Sequence, residues 1–270
     1  MPMSTVRTSP LTVVSEAMLK LHALCCGRLN FDRKVFFPDD NSGNKLRAPV
    51  PGFLVIHPKG KLLFDTGIDC RAATDPIAHL GARLAASFEI AAAPDEHAAG
   101  QLAHFGLGCD DINTVANSHL HFDHCGCNAL FPRAQFLVQR NELAAARAPK
   151  SHAFAPGWDH ALDYRELDGE HDVFGDASVI LFPTPGHTQG HQSLKVQVSK
   201  GRWIVMTADA CYTQEHLDRD LLPVVAWNGS LMHETMAKFR QMGERSDTEL
   251  IFGHDADQWL RLPERTQAIT

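Results

Sequence analysis

The chain has 270 residues, 44% of them hydrophobic and 21% charged, a balance that supports a sizeable core and excludes a disordered, fibrous or disulfide-scaffold protein. Lys and Arg total 25 against 32 Asp and Glu, a formal charge of −7 that disfavours general binding to nucleic acid or to an anionic membrane. Sixteen histidines stand beside only two Tyr and four Trp, so the placement of histidine becomes the first question.

In chain order, Leu11–Val14 is apolar, but Ser15, Glu16 and Lys20 interrupt it before the core of a signal peptide forms. No window approaches the ~18 uninterrupted apolar residues of a membrane span. Seven cysteines (Cys25, Cys26, Cys70, Cys109, Cys125, Cys127 and Cys211) include no CxxC pair. They read as free thiols, and the expected location is the cytoplasm. Asp39–Asn44 is a polar, turn-rich loop. Pro51-Gly52 opens a strand Phe53–Ile56, His57–Gly60 turns, and Lys61–Phe64 returns as the second arm of a hairpin. Ile77, Leu80, Leu84 and Phe88 recur at helical spacing and predict a helix over Asp75–Phe88. Thr114–Asn117 and Gln135–Val138 are short strands, Asn141–Arg147 an Ala-rich helix, and Ala148–Trp158 a loop.

Further strands are expected at Val179–Phe182, Ser193–Ser199, Trp203–Met206 and Leu250–Phe252, with Gly201-Arg202 as a turn. Ser230 caps a predicted helix running to Met242, whose Met232, Met236, Phe239 and Met242 form a core-packing stripe. Strands, helices and hairpins in this order predict an α/β protein with two mixed sheets flanked by helices, in one domain over residues 1–270.

The decisive segment is Ser118–Gly126, where His119, His121, Asp123 and His124 fall within six positions after a strand. Imidazole nitrogen and carboxylate oxygen are zinc-type ligands. Four such groups this close serve one ion only with difficulty. Two ions are easier, one for His119 and His121, the other for Asp123 and His124. Further ligands and a bridging group are then needed. His187, Asp209 and His254 each follow an apolar strand, where a rigid sheet presents side chains to a shared cleft. An isolated histidine at a strand end is usually a satisfied surface or core residue, and His22, His57 and His191 are left there. The clustered run is what lifts His187, Asp209 and His254 above that reading. Cys125 and Cys127, spaced CxC, are assigned a structural role.

This order, HxHxDH, then Gly-His, then Asp, then a late Gly-His, resembles the metallo-β-lactamase superfamily. Within it the chain is most similar to the N-acyl homoserine lactonases. The matching stretches are Asn30–Asp32, Leu63–Gly67, Ser118–Gly126, Thr184–Ser193, Asp209–Tyr212 and Phe252–Asp255. The resemblance implies a four-layer αββα sandwich. It also implies two divalent metal ions, zinc by default, with iron, manganese or cobalt as substitutes. His119, His121 and His187 would hold one ion and Asp123, His124 and His254 the other, with Asp209 and a hydroxide bridging them. Tyr212 would reach the substrate carbonyl, Asp123 would carry a proton, and Asp65 would support the ligand loop. The implied activity is ring opening of an N-acyl homoserine lactone, a small-molecule partner, and the resemblance leaves a homodimer as the expected self-partner. Residues 68–110 match nothing with assurance.

Two other readings keep the site and change the substrate: another lactone or ester, such as a pyridoxine-derived lactone, or a thioester as in glyoxalase II. The short Arg261–Thr270 end disfavours the latter, the negative charge a nuclease, and the missing signal peptide a β-lactam hydrolase. A module in which metals only staple the fold is a different class. The ligand chemistry opposes it, since closed structural sites favour thiolates.

Overall fold

The structure is a computed structural model and describes residues 19–148 and 157–270. The apolar stretch Leu11–Val14 and most of the expected 148–158 loop lie outside the described residues. The expected hairpin forms from β2 (Lys45–His57) and β3 (Gly60–Phe64), with His57 opposite Gly60. β2 begins earlier than Pro51-Gly52 suggested, and both Pro49 and Pro51 lie inside it. Its partner β1 (Lys20–Asp32) shifts register between Cys25 and Arg28, opposite Pro51 and Pro49. A bulge there accommodates prolines that cannot donate to the ladder. β1 escapes a sequence reading because most of its residues are buried on both faces, so no alternation marks it.

The first sheet continues through β4 (Glu89–Ile90), β5 (Thr114–Ala116), β6 (Gln135–Gln139) and β7 (Asp163–Leu167), in the order β4-β1-β2-β3-β5-β6-β7. The second holds β8 (His171–Asp172), β9 (Val179–Pro183), β10 (Gln192–Ser199), β11 (Arg202–Ala208) and β12 (Thr248–Phe252), in the order β12-β11-β10-β9-β8. The inner faces pack together. Phe53, Val55, Leu62, Phe64 and Leu137 of the first sheet meet Leu181, Leu194, Val196, Ile204 and Met206 of the second in one buried cluster.

Among the described residues seven α-helices lie around these sheets: α1 (Pro76–Ser87), α2 (Ala98–Ala103), α3 (Phe122–Cys125), α4 (Arg140–Arg147), α5 (Gln214–Arg219), α6 (Gly229–Gly243) and α7 (Ala256–Trp259). Ala98 and Leu102 of α2 cover the outer face of the first sheet, against Leu54, Leu63, Val115 and Phe136. Met232, Met236 and Phe239 of α6 cover the second, against Val205, Leu250 and Phe252. The result is an αββα sandwich. The cap of α6 is Asn228, whose side chain accepts from Leu231 N, rather than Ser230. α1 departs further from expectation. Asp75 caps it, but Gly81 at φ 79° breaks its helical path, so Leu80 is buried while Ile77 is 65% exposed. The four apolar residues therefore do not share one face. Among the described residues no helix is long and apolar enough to cross a membrane.

β3 runs parallel to β5, and β11 to β12, while β9 and β11 both run antiparallel to β10. Each set of parallel strands thus ends on the same side. The loops beyond these ends carry Asp65, the His119–His124 run, His187, Asp209 and His254.

Candidate metal centre

The loop after β5 carries His119 and His121 with Leu120 buried between them, and their ring centroids lie 4.5 Å apart. Asp123 and His124 sit in the single turn of α3, which redirects them from the preceding pair. His187 follows β9, Asp209 follows β11 and His254 follows β12. All seven side chains converge into two groups, each with ligand atoms within 4.8 Å of one another: His119, His121, His187 and Asp209, then Asp123, His124 and His254.

Asp209 faces both groups. Its Oδ1 is 3.1 Å from His124 Nε2 and 3.0 Å from His254 Nε2. Its Oδ2 is 3.3 Å from His187 Nε2 and 3.8 Å from His119 Nε2. Asp123 Oδ2 lies 3.6 Å from His124 Nε2 and 3.7 Å from His254 Nε2. The aim of Asp209 has a backbone cause. Ala208 before it takes φ 46°, a left-handed conformation that costs a non-glycine residue free energy. Gly253 allows the close approach, because a Cβ there would meet the Ala208 carbonyl oxygen at 2.5 Å.

The outer ring nitrogens are held. His187 Nδ1 lies 3.0 Å from the Val225 carbonyl and His254 Nδ1 2.8 Å from the Pro49 carbonyl. His124 Nδ1 lies 2.8 Å from Asp65 Oδ2, and His119 Nδ1 is 3.0 Å from Ser118 Oγ. An Nδ1–H donating outward leaves the Nε2 lone pair facing the centre, the tautomer a metal ligand needs. Asp65 also accepts from Ser118 N at 2.7 Å and Ser118 Oγ at 2.8 Å, so it braces the ligand loop as expected of it.

Do these residues fit a pair of cations? Among the described residues, His119 Nε2, His124 Nε2 and Asp209 Oδ1 are buried and make no hydrogen bond of good geometry although they crowd one another, an arrangement that is costly unless something else satisfies them. The donors are imidazole and carboxylate, and the cysteines are absent from both groups. The set fits divalent metal ions. Its electrostatics agree. Burial holds His119 and His187 well below the ordinary imidazole value and lowers His121, so all three favour the neutral ligand form. Burial also opposes charge on His124 and His254, but the nearby Asp209 and Asp123 carboxylates outweigh it and raise both. Burial would raise Asp209 as well, yet His124, His254 and His187 hold it well below the usual carboxylate range.

Tyr212 is buried beside the groups, its hydroxyl 3.4 Å from His187 Nδ1 and its ring 5.4 Å from that of His254. Burial, then the Asp209 and Asp123 charges, push its phenol well above the ordinary value, so it remains an O–H donor. His191 stays outside both groups: its Nδ1 lies 2.8 Å from Thr184 Oγ1. His57 stacks on Phe174 and pairs with Asp176, and His22 meets the Gln267 carbonyl. Cys125 and Cys127 are buried, and Cys127 donates to the Ile68 carbonyl.

Sequence reasoning misses two kinds of participant. Pro49 and Val225 act through backbone carbonyls, which no residue pattern encodes. Glu142 is fully buried against both ligand loops, yet an acidic residue in the first turn of a helix reads as a favourable exposed dipole contact.

The fold and centre define a class, and comparison with known proteins agrees. The model of the metallo-beta-lactamase superfamily matches residues 48–266, and the chain belongs to that superfamily. Within it, its relatives include the N-acyl homoserine lactonases. The lactonase AttM of Azorhizobium caulinodans is 30% identical over 257 residues, spanning 89% of this chain and 95% of that protein. A lactonase of Bacillus cereus is 28% identical over 242 residues, 88% of this chain and 94% of the other. Among solved structures, an N-acyl homoserine lactone hydrolase with the product N-hexanoyl-L-homoserine bound at its catalytic metal center matches with TM-score 0.83 and 26% identity. That match covers 93% of this chain and 98% of the other.

Proposed function

We propose that this chain is one hydrolase domain that opens the ring of N-acyl homoserine lactones. The carrying observation is a carboxylate, Asp209, with one oxygen toward each of two ligand groups and the Tyr212 hydroxyl alongside. His119, His121 and His187 would hold one ion, Asp123, His124 and His254 the other, and Asp209 both. Zinc suits the imidazole and carboxylate set. When bound, two divalent cations supply Lewis-acid polarisation and a water-derived nucleophile at neutral pH.

The reaction adds water across one bond: a new C–O bond forms at the carbonyl carbon and the ring C–O bond breaks. Tyr212 donates its O–H toward the carbonyl oxygen as negative charge develops there, a role commonly worth ~3–4 kcal/mol. Asp123 accepts the proton released by the nucleophile and delivers it to the leaving ring oxygen. Asp65 and the Pro49 and Val225 carbonyls keep the imidazoles oriented throughout. The similarity to proteins named as N-acyl homoserine lactonases supports this substrate class. All seven cysteines are unpaired, which supports a reducing, cytoplasmic setting.

The test is a panel of N-acyl homoserine lactones, a pyridoxine-derived lactone, thioesters and plain esters, followed by acid release. Preference for the acyl homoserine lactones is expected. Inert lactones beside a turned-over thioester would replace this reading with a thioesterase.

A further inference from the structure

Glu142 lies outside the seven-residue cluster, on α4, and is fully buried. Its Oε1 accepts from Leu120 N at 3.0 Å, and Leu120 stands between His119 and His121. Its Oε2 accepts from Thr188 Oγ1 at 2.7 Å and from Gly190 N at 3.0 Å. Thr188 follows His187 directly. One carboxylate therefore ties two chain segments that come from different sheets and that carry three of the four members of the first ligand group. The contact is close on the backbone side as well. A Cβ on Gly190 would fall 2.1 Å from Glu142 N, so only glycine lets the His187 loop reach α4.

We propose that Glu142 is a positioning residue that fixes the separation of the His119–His121 and His187 segments, and so sets the metal affinity of the first group. The second group has a different brace, because Asp65 reaches His124 directly. All three donors to Glu142 are N–H or O–H groups, the partners an ionised carboxylate accepts. An amide in its place keeps the shape but turns an N–H₂ toward at least one of them. A donor then faces a donor, and one segment loses its tether. Groups that orient ligands from outside typically carry ~10–100-fold in metal affinity.

The inference rests on the two-metal reading of the site, and the experiment separates the two. Zinc affinity of wild-type protein, Glu142→Gln and Thr188→Val is measured by competition with a chromophoric chelator. The visible spectrum of each cobalt-loaded protein is recorded, and the folding of each metal-free protein is followed by far-UV circular dichroism and thermal unfolding. Glu142→Gln is expected to bind one zinc ion at least ~10-fold more weakly and the other normally, with an altered cobalt spectrum and a folded metal-free state. Thr188→Val, which removes one donor of three, shifts the same ion less, and it carries the test if Glu142→Gln does not fold. Two ions bound by both variants with wild-type affinity and spectra would overturn the proposal while leaving the site reading intact. A wild-type protein that binds no zinc or cobalt would overturn the site reading and this inference with it.

Discussion

The two halves of the metal centre are built from the same residue types but held differently. His119, His121 and His187 form a histidine-rich half in which burial favours neutral rings. Asp123, His124 and His254 form a carboxylate-flanked half, with Asp65 directly behind His124, where the neighbouring negative charge raises both imidazoles. A cation and a proton compete for the same lone pairs; the carboxylates favour the imidazolium form at His124 and His254, whereas burial favours the neutral form at His119, His121 and His187. Ligand set and local charge together distinguish them: three histidines beside Asp209 in one half, two histidines and Asp123 in the other.

The harshest way to break this comparison is to remove what the halves share. Asp209→Ala should abolish both sites together: elemental analysis should find both ions lost. Hydrolysis should fall by more than the ~10²–10³-fold typical of a single charge-stabilising donor. Retention of two ions would show that Asp209 bridges nothing. Replacing one ligand in each half sharpens the comparison instead. His187→Ala should lower metal content by one ion from the first half, and His254→Ala by one from the second.

Tyr212→Phe should leave both halves loaded while turnover falls ~10²–10³-fold, read as kcat at constant metal content. Unchanged kcat would remove Tyr212 from the chemistry. Asp65→Asn probes the asymmetry itself. Asp65 touches His124 directly and His119 only through Ser118. Chelator competition should show the second ion weakened ~10–100-fold and the first much less. Equal weakening would erase the distinction drawn above.

A further effect, on stability and not on metal or turnover, comes from outside both halves. Burial lowers His216 to about 4, against an ordinary value of 6.5, although its Nε2 lies 2.9 Å from the Phe36 carbonyl. Between these values the unfolded chain binds a proton that the folded protein does not. Stability of the metal-free protein should therefore fall as pH drops from about 6.5 to about 4, by up to about 3 kcal/mol. Thermal unfolding in chelator should show a flatter pH profile for His216→Gln. An identical profile would place the acid sensitivity on other buried histidines, His191 and the ligand set among them.

Much of this protein is legible without coordinates, and the reasons are local. The β2–β3 hairpin is marked by a turn between two apolar runs, and the α6 stripe by its helical period. The His119–His124 run concentrates ligand chemistry in one loop, and the superfamily resemblance it carries agrees with the observed fold. Where local signals conflict with packing, the sequence misleads. Ile77 keeps the period of a core residue, but Gly81 breaks α1 and leaves it exposed. β1 shows no alternation over Leu21–Cys26 because both of its faces are buried there.

What the chain order alone determined is the inventory: which side chains can bind metal, and which lie at the ends of strands. What only the tertiary structure decided is their mutual geometry. Strands from two sheets must end on one side before residues 119 and 254 can meet Asp209. The supports behind them, the Pro49 and Val225 carbonyls and the Glu142 carboxylate, come from distant segments. Hydrogen bonds across such separations depend on the packing of the whole sandwich, and neither spacing nor residue type records them.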